Sequence, residues 1–257
     1  MQQQEFHPAF CQPSDENAAI WRYMDFPKFA WMLTYRKLFV PHISLLLHQD
    51  PFEGSTTSVR YEKMRKQLNE TTDNEHKAIT NHNMRLMQNV SRSYSHSYYV
   101  SCWHMADHES DAMWKLYGRS NDCVAVKSTY RNLLSIAPPY SRVGMVRYID
   151  YNKDDFASFN MFDNIMHKRL AFKHEQEVRM VASAFPNGVD PIPNARQEGF
   201  DIEINFDEFV SEVRVHPLCH TWFCNLVAEL LRKFADILMI KGCGQLEDGR
   251  AGPLLHR

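Results

Sequence analysis

Eight short apolar stretches constrain the fold of this chain more than anything else in its sequence. They are AIWRYMD (19–25), LFVPHI (38–43), YYVSCW (98–103), DCVAVKS (122–128), RVGMVRYID (142–150), EVRMVASAF (177–185), FDIEINF (200–206) and SEVRVHP (211–217). Their length and their β-branched and aromatic content read as strands. Fewer segments read as helices. Pro27 suits a first helical turn, and Phe29, Met32, Leu33 and Arg36 continue at helical spacing. SDAMWKLYG (110–118) has a Ser N-cap and a Gly stop. Further helical stretches are expected at about 129–137, 156–170 and, strongly amphipathic, 220–236. The connections are too irregular for a doubly wound sheet. Nine glycines form neither a GxGxxG nor a Walker loop, which argues against nucleotide sites of those kinds. The expected class is α+β.

A loose arm is expected over 1–18, followed by a single α+β domain over 19–257. Within it, residues 58–92 are polar and helix-favouring, with a sparse stripe of Val59, Met64, Leu68, Ile79, Leu86 and Val90 and an interruption at NETTDNEH. This segment reads as a helical insertion and as the candidate partner surface. A net charge of −2 gives no argument for nonspecific nucleic-acid or membrane binding. No apolar run approaches the roughly 20 residues that cross a bilayer. The polar start MQQQEFHPAF lacks a signal pattern, and six scattered cysteines show no CxxC spacing, so a cytoplasmic setting is expected.

Chemistry is sparse. Arg22, Ser101 and Glu177 are polar residues on predicted strands amid apolar neighbours. A shared cleft would supply a cation for a phosphate or carboxylate, a hydroxyl, and a carboxylate able to stabilise an oxocarbenium-like centre. Spacing alone favours the plainer reading, in which these residues face water or an Arg–Glu pair holds the sheet together. The run HEQEVR adds Glu175, two residues before Glu177 and so expected on the same strand face. Tyr23 or Trp103 is the choice for a stacking wall, although packing is the default for the aromatic cluster around Trp114. Cys102, His104 and His108 lack a metal-site pattern, and no metal is expected there. In DPFEG, Phe52 is expected in the core, with Asp50 and Glu53 capping nearby amides.

WRYMD, LFVPHISLLLHQDPFEG, YYVSCWH, AMWKLYG, KRLAFKHEQEVRM and VSEVRVHPLCHTWFCNLVAELL together resemble, in order, the bacterial domain of unknown function 2971 family over roughly residues 19–235. DPFEG and HEQEVR are the specific pieces. The usual loop Asn is Gln49 here, and the usual Cys-Phe-Ser triplet is Ser101-Cys102-Trp103. The order of an arginine strand, a serine strand and an E-x-E strand also looks like the R-S-E arrangement of ADP-ribosyltransferases. That likeness implies small sheets flanked by helices around an NAD cleft. It implies Arg22, Tyr23, Ser101 and Trp103 on NAD, Glu177 stabilising the oxocarbenium ion, and Glu175 acting on the acceptor. The activity implied is an NAD-consuming transferase or glycohydrolase, as in a bacterial toxin or phage-defence effector, with a protein or nucleic-acid acceptor. Two alternatives stand beside it. One is a noncatalytic binding module. The other is a metal-dependent hydrolase or nuclease using Asp50, Glu53, Glu175 and Glu177.

Overall fold

The computed structural model describes residues 7–45, 50, 53–93, 98–118, 120–156, 160, 162–183, 192 and 195–235. Ten strands and eight helices are present among them. The strands are β1 (Ala19–Asp25), β2 (Lys37–Pro41), β3 (Tyr98–Met105), β4 (Cys123–Thr129), β5 (Ser141–Met145), β6 (Arg147–Ile149), β7 (His167–Arg169), β8 (Glu177–Ser183), β9 (Gly199–Glu203) and β10 (Glu212–Val215). The helices are α1 (Phe26–Tyr35), α2 (Ser58–Glu70), α3 (Asn74–Ser93), α4 (Asp111–Tyr117), α5 (Tyr130–Ser135), α6 (Asp163–Met166), α7 (Phe206–Phe209) and α8 (Thr221–Phe234).

The protein is mixed α and β. Its centre is a six-stranded antiparallel sheet in the order β10-β4-β1-β3-β8-β5, beside two-stranded sheets β2-β9 (antiparallel) and β6-β7 (parallel). Both faces of the large sheet are covered, which is why its strands read as nearly continuous apolar runs. Ile20 and Met24 of β1, Tyr99 and Trp103 of β3, and Val178, Met180 and Ala182 of β8 point to one face. There they meet Leu38 and Val40 of β2, Phe200 and Ile202 of β9, the inner side of α1, and Phe223, Val227 and Leu231 of α8. Each such side chain contributes about 1.5–3 kcal/mol when fully buried. The alternate residues face the other way. Trp21 and Tyr23 pack on Met113 and Trp114 of α4, while Tyr98, Val100 and Val181 pack on Ala9, Phe10, Ile165 and Met166.

Capping signals fix α4 as the sequence implies. Ser110 Oγ accepts the Met113 amide, and the helix stops at Gly118. The 58–92 segment forms two helices, α2 and α3, broken at Thr71–Asp73.

Two expectations are corrected here. The arm is not loose throughout. Ala9 and Phe10 are buried, Cys11 bridges Met145, and the Gln12 amide donates to the Val143 carbonyl (3.0 Å), so this segment covers the β5 edge. Residues 156–170 do not form one helix either. Asn160 Oδ1 accepts the Phe162 amide (2.8 Å) and Asp163 Oδ2 accepts the Asn160 amide (3.2 Å). Such local bonds compete with helix propagation, leaving one turn at α6 before the chain extends as β7.

Candidate functional site

The central sheet forks at Arg22. Strand β1 pairs with β4 along its full length, from Ala19↔Thr129 to Asp25↔Cys123, but with β3 only at Ile20↔Met105 and Trp21↔His104. Beyond that point β3 turns toward β2, and Tyr99 bridges His42. The half-buried Arg22 spans the opening. Its Nη1 donates to Ser101 Oγ on β3 (2.9 Å), its Nη2 donates to the Phe39 carbonyl on β2 (3.2 Å), and its guanidinium lies 5.7 Å from the centre of the Trp103 ring. Burial lowers its pKa to about 10. Among the described residues no carboxylate pairs with it.

Arg22, Ser101 and Trp103 therefore meet, but not as an open cleft. Ser101 is fully buried, and its oxygen also accepts the Trp103 indole N–H (3.0 Å). Trp103 is itself buried, edge-on to Phe209, and offers no stacking wall. Tyr23 follows Arg22 in β1 and faces the other side of the sheet. There its ring stands edge-on to Trp114, its hydroxyl accepts the Ser110 amide (2.8 Å), and burial pushes its pKa up to about 12.

Glu177 also faces that other side, because it pairs with His104, the neighbour of Trp21. The expected single cleft of Arg22, Ser101 and Glu177 is not formed. The sheet's two-residue side-chain period puts Arg22 and Glu177 on opposite faces.

Behind that second face lies a buried ionic knot. Glu53, Glu175 and Glu177 share Lys168 and Arg179, with side-chain exposures of 2–7%. Arg179 Nε and Nη2 grip Glu177 as a fork, both at 2.9 Å, and Nη1 reaches Glu53 (2.5 Å). Lys168 Nζ donates to Glu175 (2.5 Å) and lies 3.3 Å from Glu177. Tyr117 Oη donates to Glu175 Oε1 (3.2 Å), the Tyr148 hydroxyl accepts the Glu177 amide (2.8 Å), and His104 Nδ1 lies 2.6 Å from the Glu175 carbonyl oxygen. Beside the knot, Asp50 accepts from Arg169 (2.8 Å). Burial alone would raise the Glu177 pKa, but Arg179 and Lys168 outweigh it and hold it at about 2. Burial likewise opposes charge on Lys168, yet Glu177, Glu53 and Glu175 keep its pKa above the ordinary lysine value.

Glu175 is not on the strand with Glu177. It ends a 3₁₀ segment, Leu170–Glu175, and Gln176 then takes a left-handed conformation (φ 40°) before β8 begins. This turn brings both carboxylates to Lys168. Asp50 pairs with Arg169, and Glu53 pairs with Arg179 and Lys168. Pro51 and Phe52 lie outside the described residues.

Glu177 is thus ionised at neutral pH, gripped by Arg179 and hidden. A carboxylate so neutralised is poorly placed to answer new positive charge on a substrate. Asp50, Glu53, Glu175 and Glu177 are interleaved with cations, and no group of three or more His, Cys, Asp or Glu among the described residues is arranged to hold a metal ion. No described helix is long and apolar enough to cross a membrane.

Sequence reading missed Lys168, Arg179 and Tyr117 as members of the knot. One signal was present: Arg179, two residues after Glu177 on a strand, must share its face. The segments DPFEG, YYVSCWH, AMWKLYG and KRLAFKHEQEVRM all send residues here, namely Glu53, His104, Tyr117, and Lys168 with Glu175, Glu177 and Arg179. No protein-family model matches the chain and none of the curated proteins matches it, so the resemblance stands on those motifs alone.

Proposed function

We propose that the chain is a noncatalytic binding module that holds a phosphate-bearing ligand at the strand fork, with Arg22 as the grip. One observation carries this: Arg22 spans the fork with hydrogen bonds to Ser101 Oγ and the Phe39 carbonyl, and no carboxylate pairs with it among the described residues. A half-buried cation without a counter-ion favours a bound anion. Two guanidinium nitrogens hold the fork in shape. The remaining N–H donors are preorganised for phosphate oxygens.

NAD, through its pyrophosphate, is the ligand in the ADP-ribosyltransferase-like reading of the two neighbouring sheets. Binding and turnover separate at this point. The carboxylates that would drive transfer, Glu175 and Glu177, are held in a knot on the other side of the sheet. We assign them to scaffold.

Calorimetric titration with NAD, ADP-ribose and pyrophosphate, alongside a nicotinamide-release assay, tests the proposal. The expected result is binding by wild type, loss of binding in Arg22→Gln, and no nicotinamide release. If none of the three ligands binds, the proposal fails. Nicotinamide release by wild type that disappears in a folded Glu177→Gln variant would restore the transferase.

A further inference from the structure

Among its described side chains, the α2–α3 hairpin buries little of itself. No residue of α2 is buried, and Thr80 is the only one of α3 among those whose side chains are described. Polar contacts tie the described part of it to the body. Asp155 accepts from Arg60 Nε (2.6 Å), Lys63 Nζ (3.2 Å) and Thr57 Oγ1 (3.3 Å), and the Ser58 amide donates to the Tyr151 carbonyl (2.9 Å). Helices of this length are marginal without an apolar face to bury. A polar hairpin held at its foot in this way presents its flanks to something else.

Charge identifies the class of partner. Residues 58–93 carry seven Lys and Arg against four Asp and Glu, a net +3 in a chain of net −2, which leaves −5 on the remainder. Lys63, Arg65, Lys66 and Arg85 are exposed. At the foot, an open cleft of about 340 Å³ is lined by Arg60, Lys63, Met64, Gln67, Asn83 and Asp155, with Asp155 pairing Arg60 and Lys63. Exposed large apolar groups on the hairpin are confined to Tyr61 and Ile79 among the described side chains. Protein partners generally need an apolar interface core. Nucleic-acid backbones are met by polar, cationic surfaces, with aromatic rings such as Tyr61 available to stack on bases.

We infer that the hairpin docks on the phosphodiester backbone of a nucleic acid, while the acidic remainder keeps the strand off the rest of the surface. This surface is independent of the Arg22 site. The test is fluorescence anisotropy of the full chain with labelled duplex DNA and single-stranded RNA, from 50 to 200 mM salt. Three phosphate contacts predict a loss of affinity over that range of about 40-fold on the duplex and about 20-fold on the single strand. The variant Arg65→Glu/Lys66→Glu/Arg85→Glu leaves the Asp155 tether intact, and circular dichroism checks that it folds. It should lose binding. Three outcomes overturn the inference: no salt-dependent binding to either nucleic acid, a folded triple variant that binds unchanged, or equal affinity for polyglutamate, which would indicate an acidic protein partner instead.

Discussion

Arg22 and Glu177 project from opposite faces of one antiparallel sheet, although only β3 separates their strands. The position of each follows from register. Arg22 shares a face with Ile20 and Trp103; Glu177 shares one with Trp21 and His104. No ligand the size of a ribose can touch both. The two residues therefore have different tests.

Glu177→Gln should destabilise the protein rather than merely silence it. Arg179 and Lys168 would lose a carboxylate inside a knot almost closed to water. Breaking one side of a buried pair costs about 3–5 kcal/mol. Urea unfolding should show that loss. Glu177→Leu combined with Arg179→Met should cost less than the sum of the two single changes, because both charges then leave together. A Glu177→Gln variant as stable as wild type would mean that the carboxylate is not structural.

Stability should also fall on the acid side in two stages. Burial lowers the pKa of His104 and His167. The folded state thus binds their protons less readily than the unfolded state, so their contribution is present above about pH 6.5 and lost below it. Glu177, held at about 2 against an unfolded value of 4.5, contributes stability that is full above pH 4.5. That contribution is lost as pH falls toward 2. Unfolding free energies measured from pH 8 to 3 should decline through both windows. In Glu177→Gln the lower decline should be smaller.

Ser101→Ala tests the fork. The buried hydroxyl accepts from both Arg22 and the Trp103 indole. Without it, two donors lack an acceptor, at about 1–3 kcal/mol each where no water replaces it. Arg22→Gln removes an uncompensated charge along with its hydrogen bonds and should lie within about 1 kcal/mol of wild type. Thermal melts of the two variants should rank Ser101→Ala as the less stable.

Gly144→Ala addresses the N-terminal segment. A Cβ there would stand 2.8 Å from the Phe10 Cα and 2.9 Å from its Cβ, so the segment must shift. Overpacking of this kind costs about 1–3 kcal/mol. Limited proteolysis should cut near Phe10 sooner in the variant. An unchanged digestion pattern would show that this segment does not depend on the close approach at Gly144.

Much of the fold was legible because local signals agreed with burial. Ser110 and Gly118 mark the ends of α4, and Trp222 to Leu231 carry the α8 period, although Trp222 and Leu226 remain exposed. The site was less legible. Whether Arg22 shares a face with Glu177 depends on pairing across three strands, and a slip of one residue would reverse it. Glu175 was misplaced because the left-handed Gln176 breaks the alternation that a strand assignment assumes. The helix expected over 156–170 failed where Asn160 and Asp163 tied up backbone groups that a continuous helix would have used.

The short seam between β1 and β3 gives the sheet a mechanical character. Only two residue pairs join the leaf built on β1, β4 and β10 to the leaf built on β3, β8 and β5. Arg22 stands just beyond these pairs, and its bonds to Ser101 on β3 and to the Phe39 carbonyl on β2 make one side chain the tie where backbone pairing stops.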